Sequence, residues 1–232
     1  MRFQMSSMRC PVSKALSERR KAGRPPVLTE EERRRLILSA AETAFFEQGY
    51  GATSMDEIAR RCAMSKKTLY RSFATKESLF QDLIETAIGS LADVRPPPGE
   101  PMLGARETLA RALRSMMEML LHPRQLALAR LVVSEAAQAP ELSATLHEQG
   151  LIRSQQYLDG VVADLRAKGL IRPETGDDVG SFLIDASIGD WVFLFLIGRL
   201  SAPTPNQIAE RVDCVLGTFG RAIFVEGTAS PE

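Results

Sequence analysis

The sequence predicts an all-helical fold, and three observations carry that prediction. Apolar residues recur at three- and four-residue spacing through most of residues 29–223, helix-starting residues stand ahead of several of the runs, and no stretch alternates convincingly as a strand would. With 44% hydrophobic residues, the 232-residue chain can pack one small and one medium domain, or a single helical unit with two functional parts.

Residues 1–28 show no apolar periodicity and end in Arg19-Arg20-Lys21-Ala22-Gly23-Arg24-Pro25-Pro26. Glycine and proline keep such a stretch extended, and its cations attract phosphate. It reads either as a flexible basic arm, with Arg24 in or along a minor groove, or as a solvated tail. Thr29 and Glu32 then form a capping box for a long helix on which Leu36, Ile37, Ala40, Ala41, Ala44 and Phe45 recur, with Gly49 as its stop. Arg33, Arg34 and Arg35, beside Glu30 to Glu32, read as a solvated charged face.

Thr53 and Asp56 read as the capping box of a short helix that turns Ile58 and Ala59 inward and Arg60 and Arg61 outward. Ser65 caps the next, from Ser65 to Phe73. Leu69 and Phe73, four apart, fall on its buried face, while Lys66, Lys67, Thr68, Tyr70 and Arg71 fall on its exposed face. Thr75 opens a fourth helix with Lys76 in its first turn, where free backbone amides and a lysine together offer a phosphate site. This helix runs to about Leu91 and gives way to Pro96-Pro97-Pro98-Gly99.

Two short helices joined by a tight turn, the second exposing cations and hydroxyls, make a helix-turn-helix that sets one helix into a DNA groove. The charge distribution agrees. Although the net charge is zero, residues 1–80 hold 16 Lys and Arg against 9 Asp and Glu, and the remainder is correspondingly acidic. A basic segment supplies the counterion-releasing contacts that dominate DNA affinity. Expected contacts are Arg24, Thr53, Ser65, Lys66, Lys67, Thr68, Tyr70, Arg71 and Lys76, with Lys67 and Thr68 at base edges and Lys76 on phosphate.

The run Ser65-Lys66-Lys67-Thr68-Leu69-Tyr70, with Phe73, Lys76 and Leu79, resembles the recognition helix and following helix start of the TetR family of bacterial transcriptional regulators. Thr53, Ile58 and Ala59, and before them Ala44, Phe45, Gly49 and Tyr50, extend the resemblance over about residues 29–83. It implies phosphate contacts at Tyr70 and Lys76. The chain departs at Ala63, where the family usually has a turn glycine, and at Lys67, where it usually has a small residue. Ala63 is strained if its backbone turns left-handed.

Beyond the proline run the pattern stays helical. Leu109, Leu113, Met116, Met117 and Leu120 share a helix that stops near His122-Pro123; another spans about Arg124 to Gln138; Pro140 opens a long one through Leu146, Ile152 and Leu165, ended by Gly169. The segment LARLVVSEAAQAPEL resembles the ligand-binding domain of one TetR subgroup. Asp177 to Arg199 reads as one strongly apolar helix, and Thr204-Pro205-Asn206-Gln207 caps the last. These two closing helices are expected to meet a second copy, as the family dimerises, through Phe193, Ile208, Val212, Val215, Leu216, Phe219 and Ile223. The domains expected are thus an arm (1–28), a three-helix helix-turn-helix domain (29–80) and a larger helical effector-binding and dimerisation domain (81–228).

Met116, Met117, Tyr157, Phe182, Trp191 and Phe195 offer soft or flat walls to an apolar effector, and Asp185 in the apolar helix invites a cationic one. Each is alternatively a core residue, and Asp185 alternatively a paired or edge carboxylate. Catalysis is not expected: His122 and His147 lack metal-ligand spacing, and no phosphate loop or nucleophile elbow occurs. No cofactor or metal is implied. Cys10, Cys62 and Cys214, odd in number and far apart, fit a reducing cytoplasm, and no run is long and apolar enough to span a membrane. Met5 and Met8 are alternative starts to Met1.

The expected function is a homodimeric repressor released from a near-palindromic operator by a small molecule. The alternatives are an effector-independent or activating regulator, and a helical protein-interaction module.

Overall fold

The computed structural model describes residues 28–88 and 103–225; Arg24, the rest of the arm and the end of the fourth helix lie outside them. The order is α1 (Glu30–Gln48), α2 (Met55–Arg61), α3 (Lys66–Ser72), α4 (Lys76–Ile88), α5 (Ala105–Leu120), α6 (Pro123–Glu135) and α7 (Pro140–Thr145). A π-helical segment (Leu146–Ile152) continues into α8 (Arg153–Ala167), followed by α9 (Val179–Ile188), α10 (Trp191–Leu196) and α11 (Pro205–Ile223). Among the described residues the one strand-like pairing is an isolated bridge between Ile171 and Phe224.

Local chemistry sets most boundaries. Thr29 and Glu32 close a capping box on α1, and Thr204 and Gln207 close another on α11 with Pro205 in its first turn. The His122 ring accepts the Arg124 N–H to start α6, and the Thr75 hydroxyl accepts the Ser78 N–H at the start of α4. Three boundaries differ from the sequence reading. Ser54, not Thr53, caps α2 by accepting the Glu57 N–H, because the Thr53 hydroxyl is committed inward. The helix opened by Pro140 passes through the π turn before α8. The Asp177 to Arg199 helix is two: Gly189 takes φ +52°, a left-handed value that ends α9, so α10 starts afresh from Asp190.

Among the described residues two apolar cores result. The first joins Ile37, Phe45, Ile58, Leu69, Phe73 and Phe80 from α1 to α4 with Leu128, Leu131, Val132 and Leu142 from α6 and α7. The second packs Leu109, Met116 and Met117 of α5 against Leu158, Val162, Leu183, Val212 and Leu216 of α8, α9 and α11. Met119 touches both. The first core therefore draws on residues well beyond 80. Burying such side chains contributes roughly 1.5–3 kcal/mol each, which fixes α2 and α3 against a broad base.

Candidate nucleic-acid interface

The unit that presents α3 is built from its interior outward. Ile58 and Ala59 of α2, Leu69 of α3 and Phe73 at its C-terminal cap are buried in the first core, so the opposite face of α3 must look outward. Lys66, Lys67, Tyr70 and Arg71 are exposed and Thr68 is half-buried. At the start of α3 the Ser65 hydroxyl accepts the Thr68 N–H at 3.1 Å and lies 2.8 Å from the Thr68 hydroxyl. Lys66 reaches back to Asp56 on α2, which raises its amine above the ordinary value and ties the two helices together. Lys67 and Arg71 make no ion pair among the described residues and project from α3 as free cations.

The turn between α2 and α3 carries its expected strain. Ala63 has φ +52°, and the Met64 N–H donates to the Ala59 carbonyl across it, the wrap that normally places glycine at this point. On the flank, Arg60 and Arg61 both pair with Glu57, and Arg61 also with Glu47. Those pairs, Arg61 foremost, hold the Glu57 carboxyl below its usual range.

Two expected contacts are placed elsewhere. Thr53 is only 2% exposed, and its hydroxyl lies 2.8 Å from the Gly49 carbonyl and 3.2 Å from that of Ala44, sealing the end of α1. Lys76 turns its ammonium into the α1–α2 loop, donating to the carbonyls of Tyr50 at 2.7 Å, Thr53 at 2.9 Å and Gly51 at 3.4 Å. An ammonium has three donors, so all are engaged within the fold. Burial draws this amine below its ordinary value, against the pull of Glu135, Glu141 and Glu77. From α6, the Glu135 carboxylate accepts the Gly51 N–H at 3.3 Å in the same loop.

Five of the seven expected effector residues meet at the second core, and Phe182 and Asp185 lie outside it. Met116 and Met117 are fully buried in the second core, and Tyr157, Trp191 and Phe195 pack partly buried against it. A cleft of about 300 Å³ reaches Trp191, but its other walls are Arg199, Leu200, Ser201, Ala202, Pro203 and Gln207. Phe182 points outward, 50% exposed, in an edge-on contact with Phe219 at 5.2 Å. Asp185 is exposed on α9, since the apolar face of that helix is turned away from it, and so gives no buried charge for a cation.

The expected dimer residues also divide. Ile208, Val212, Val215, Leu216 and Ile223 are buried within this chain, where α11 packs on α5 and α9. Phe193 is 62% exposed and Ile197 52%, and Phe219 lies half-buried beside Phe182. Two arginines escaped the sequence reading because their partners are distant carbonyls and rings. Arg130 of α6 donates to the Phe195 carbonyl at 2.6 Å and stacks over that ring, and Arg211 of α11 donates to the Ser187 carbonyl at 3.1 Å and faces Trp191. Among the described residues no group of His, Cys, Asp and Glu is placed to hold a metal ion, and no helix is long and apolar enough to cross a membrane.

Comparison with known proteins places this geometry. The family model described as bacterial regulatory proteins, tetR family, matches residues 37–83, and that described as AefR-like transcriptional repressor, C-terminal domain, matches residues 107–222. The uncharacterized HTH-type transcriptional regulator YhgD of Bacillus subtilis is 36% identical over 83 residues, covering 36% of this chain and 44% of that one. The HTH-type transcriptional regulator UidR of Escherichia coli is 28% identical over 157 residues, 66% of this chain and 76% of that one. Among solved structures, the flavonoid-responsive regulator FrrA superposes with a TM-score of 0.68 at 26% identity, over 85% of this chain and all of FrrA.

Proposed function

The chain belongs to the TetR family of bacterial regulatory proteins and is a DNA-binding transcriptional regulator, and from that premise we propose that it is a cytoplasmic repressor. In this reading a homodimer holds a near-palindromic operator and a small-molecule effector releases it. The observation that carries the reading is the outward face of α3, where Lys67, Thr68, Tyr70 and Arg71 stand on a buried footing of Leu69 and Phe73. Lys67 and Thr68 read base edges, while Tyr70 and Arg71 hold phosphates. Two such helices, related by a two-fold axis, meet successive major grooves.

The description of the matching C-terminal family model as a repressor domain supports repression. Responsiveness of FrrA to flavonoids supports an effector that is flat, largely apolar and hydroxylated. Dimerisation is carried by the outward Phe182 on α9, Phe193 on α10 and Ile197 just after it, apolar side chains too exposed for an isolated protomer to leave in water without cost. The two functional parts divide near the end of α4, the N-terminal part reading DNA and the remainder binding effector and partner. The effector acts by favouring a conformer whose reading helices are wrongly spaced for adjacent grooves.

The test is to sequence the genomic DNA fragments that the purified protein selects. A recovered inverted repeat bound with a steep salt dependence supports the reading; binding that is indifferent to sequence, or a stoichiometric protein partner without DNA affinity, overturns it.

A further inference from the structure

The inward side of the chain from α7 to α8 changes character at one place. Leu142 and Leu146 pack on the first core, and Leu158 and Val162 on the second. Between them lie Gln149, Gly150 and Ser154. The Gln149 side-chain oxygen and the Ser154 hydroxyl are both buried without a hydrogen-bond partner, and Ser154 as a whole is 4% exposed. Buried polar atoms are ordinarily paired, so two orphans five residues apart call for an explanation. The backbone here is π-helical, a winding whose hydrogen bonds span five residues and which recurs at functional sites. Gln149 lies in this π segment and Ser154 five residues on, at the start of α8. Gly150, between them in sequence, is buried as well.

We propose that Gln149 and Ser154 form the polar end of the effector site, at the seam between the two cores, and that they receive a neutral hydroxyl or N–H donor on an otherwise apolar molecule. The chemistry follows from the side chains. The amide oxygen accepts only, the serine hydroxyl both accepts and donates, and the ionisable neighbours His147, Glu148 and Arg153 are all exposed, so no charge is built in for an ionic ligand. The location gives such a ligand leverage, because the π segment packs against α4, whose first residue, Lys76, holds the α1–α2 loop. This inference rests on the reading of the protein as an effector-controlled regulator and names the ligand class and site within it.

The test uses the full chain with quercetin, a polyhydroxylated flavonoid, and its fully O-methylated ether, which keeps the ring system and loses every hydroxyl donor. Calorimetric titration should show quercetin binding the wild type and the ether binding at least about tenfold more weakly. Gln149→Leu and Ser154→Ala should each weaken quercetin about tenfold, the cost of leaving its donor unpaired, and leave the ether unchanged. Both variants should melt at or above the wild-type temperature, since each removes an unpaired polar group. If Gln149→Leu melts early, Gln149→Met carries the same reading. The proposal is overturned if quercetin does not bind the wild type, binds the variants equally well, or is lost together with the ether. Because binding is measured without DNA, a protein that takes quercetin through these two side chains but ignores operator DNA bears out the site and sinks the regulatory reading instead.

Discussion

Lys76, the first residue of α4, donates its ammonium to the Tyr50 backbone carbonyl at 2.7 Å and rests 4.3 Å from the centre of the same residue's ring. One side chain thus grips both the backbone and the aromatic face of the loop that leads from α1 into the helix-turn-helix. Sequence pattern reads Lys76 as a phosphate anchor; geometry makes it a brace for the reading helix.

The two roles separate by salt dependence. Lys76→Met should weaken operator binding and lower the melting temperature of the protein by several degrees, since three carbonyls lose a charged donor, a loss of about 1–3 kcal/mol. The slope of log affinity against log salt should stay as in the wild type. A slope lowered by about one unit, with stability intact, would show that Lys76 contacts phosphate after all.

On α3 the expectation is a split between neighbours. Arg71→Ala should weaken every DNA sequence alike and reduce the salt slope by about one unit, whereas Lys67→Ala should cost about 1–3 kcal/mol on the native operator and little on unrelated DNA. Binding measured on both DNAs across a salt series decides it; uniform loss from Lys67→Ala would remove Lys67 from base readout.

Ala63→Gly should stabilise the protein by roughly 1 kcal/mol, because alanine at φ +52° is held in a left-handed conformation that glycine adopts freely. Thermal denaturation reads this directly. A lower melting temperature would mean that the backbone tolerates alanine there without strain.

Phe182→Glu and Phe193→Glu should yield folded monomers by light scattering, with operator affinity down by orders of magnitude, because both side chains point away from their own core. Leu216→Glu, by contrast, should fail to fold, since it places a charge in a fully buried position. A persistent dimer in both phenylalanine variants would reject this face as the interface.

What was legible in the sequence was local. The capping boxes at Thr29 and Thr204 each need only two side chains three apart, and both formed as read. The inward pair Leu69 and Phe73 is likewise fixed by spacing alone. Thr53 misled because Ser54 beside it caps equally well, and only the fold reveals which hydroxyl is drawn to the Gly49 carbonyl. On α11, periodicity shows that Val212 and Leu216 share an apolar face but not whether its partner is the same chain or another; α5 and α9 turn out to cover it. The break at Gly189 was hidden by apolar residues on both sides of it. Lys76, Arg130 and Arg211 find their acceptors on backbone carbonyls far along the chain, for which no residue type is a marker. The orphaned oxygens of Gln149 and Ser154 depend on a helical winding that composition does not announce.

The contribution of Leu128, Leu131, Val132 and Leu142 to the first core has a consequence for how the protein comes to exist. During synthesis, α1 to α4 leave the ribosome first, yet the apolar floor beneath them stays open until α6 and α7 have followed. At bacterial elongation rates of about 5–20 residues per second, that interval lasts several seconds. A nascent chain is therefore slow to complete its DNA-reading head, and a fragment truncated after α4 keeps that floor wet and is prone to aggregate. The protein acquires its DNA-reading head only together with α6 and α7, which lie beyond it in the chain.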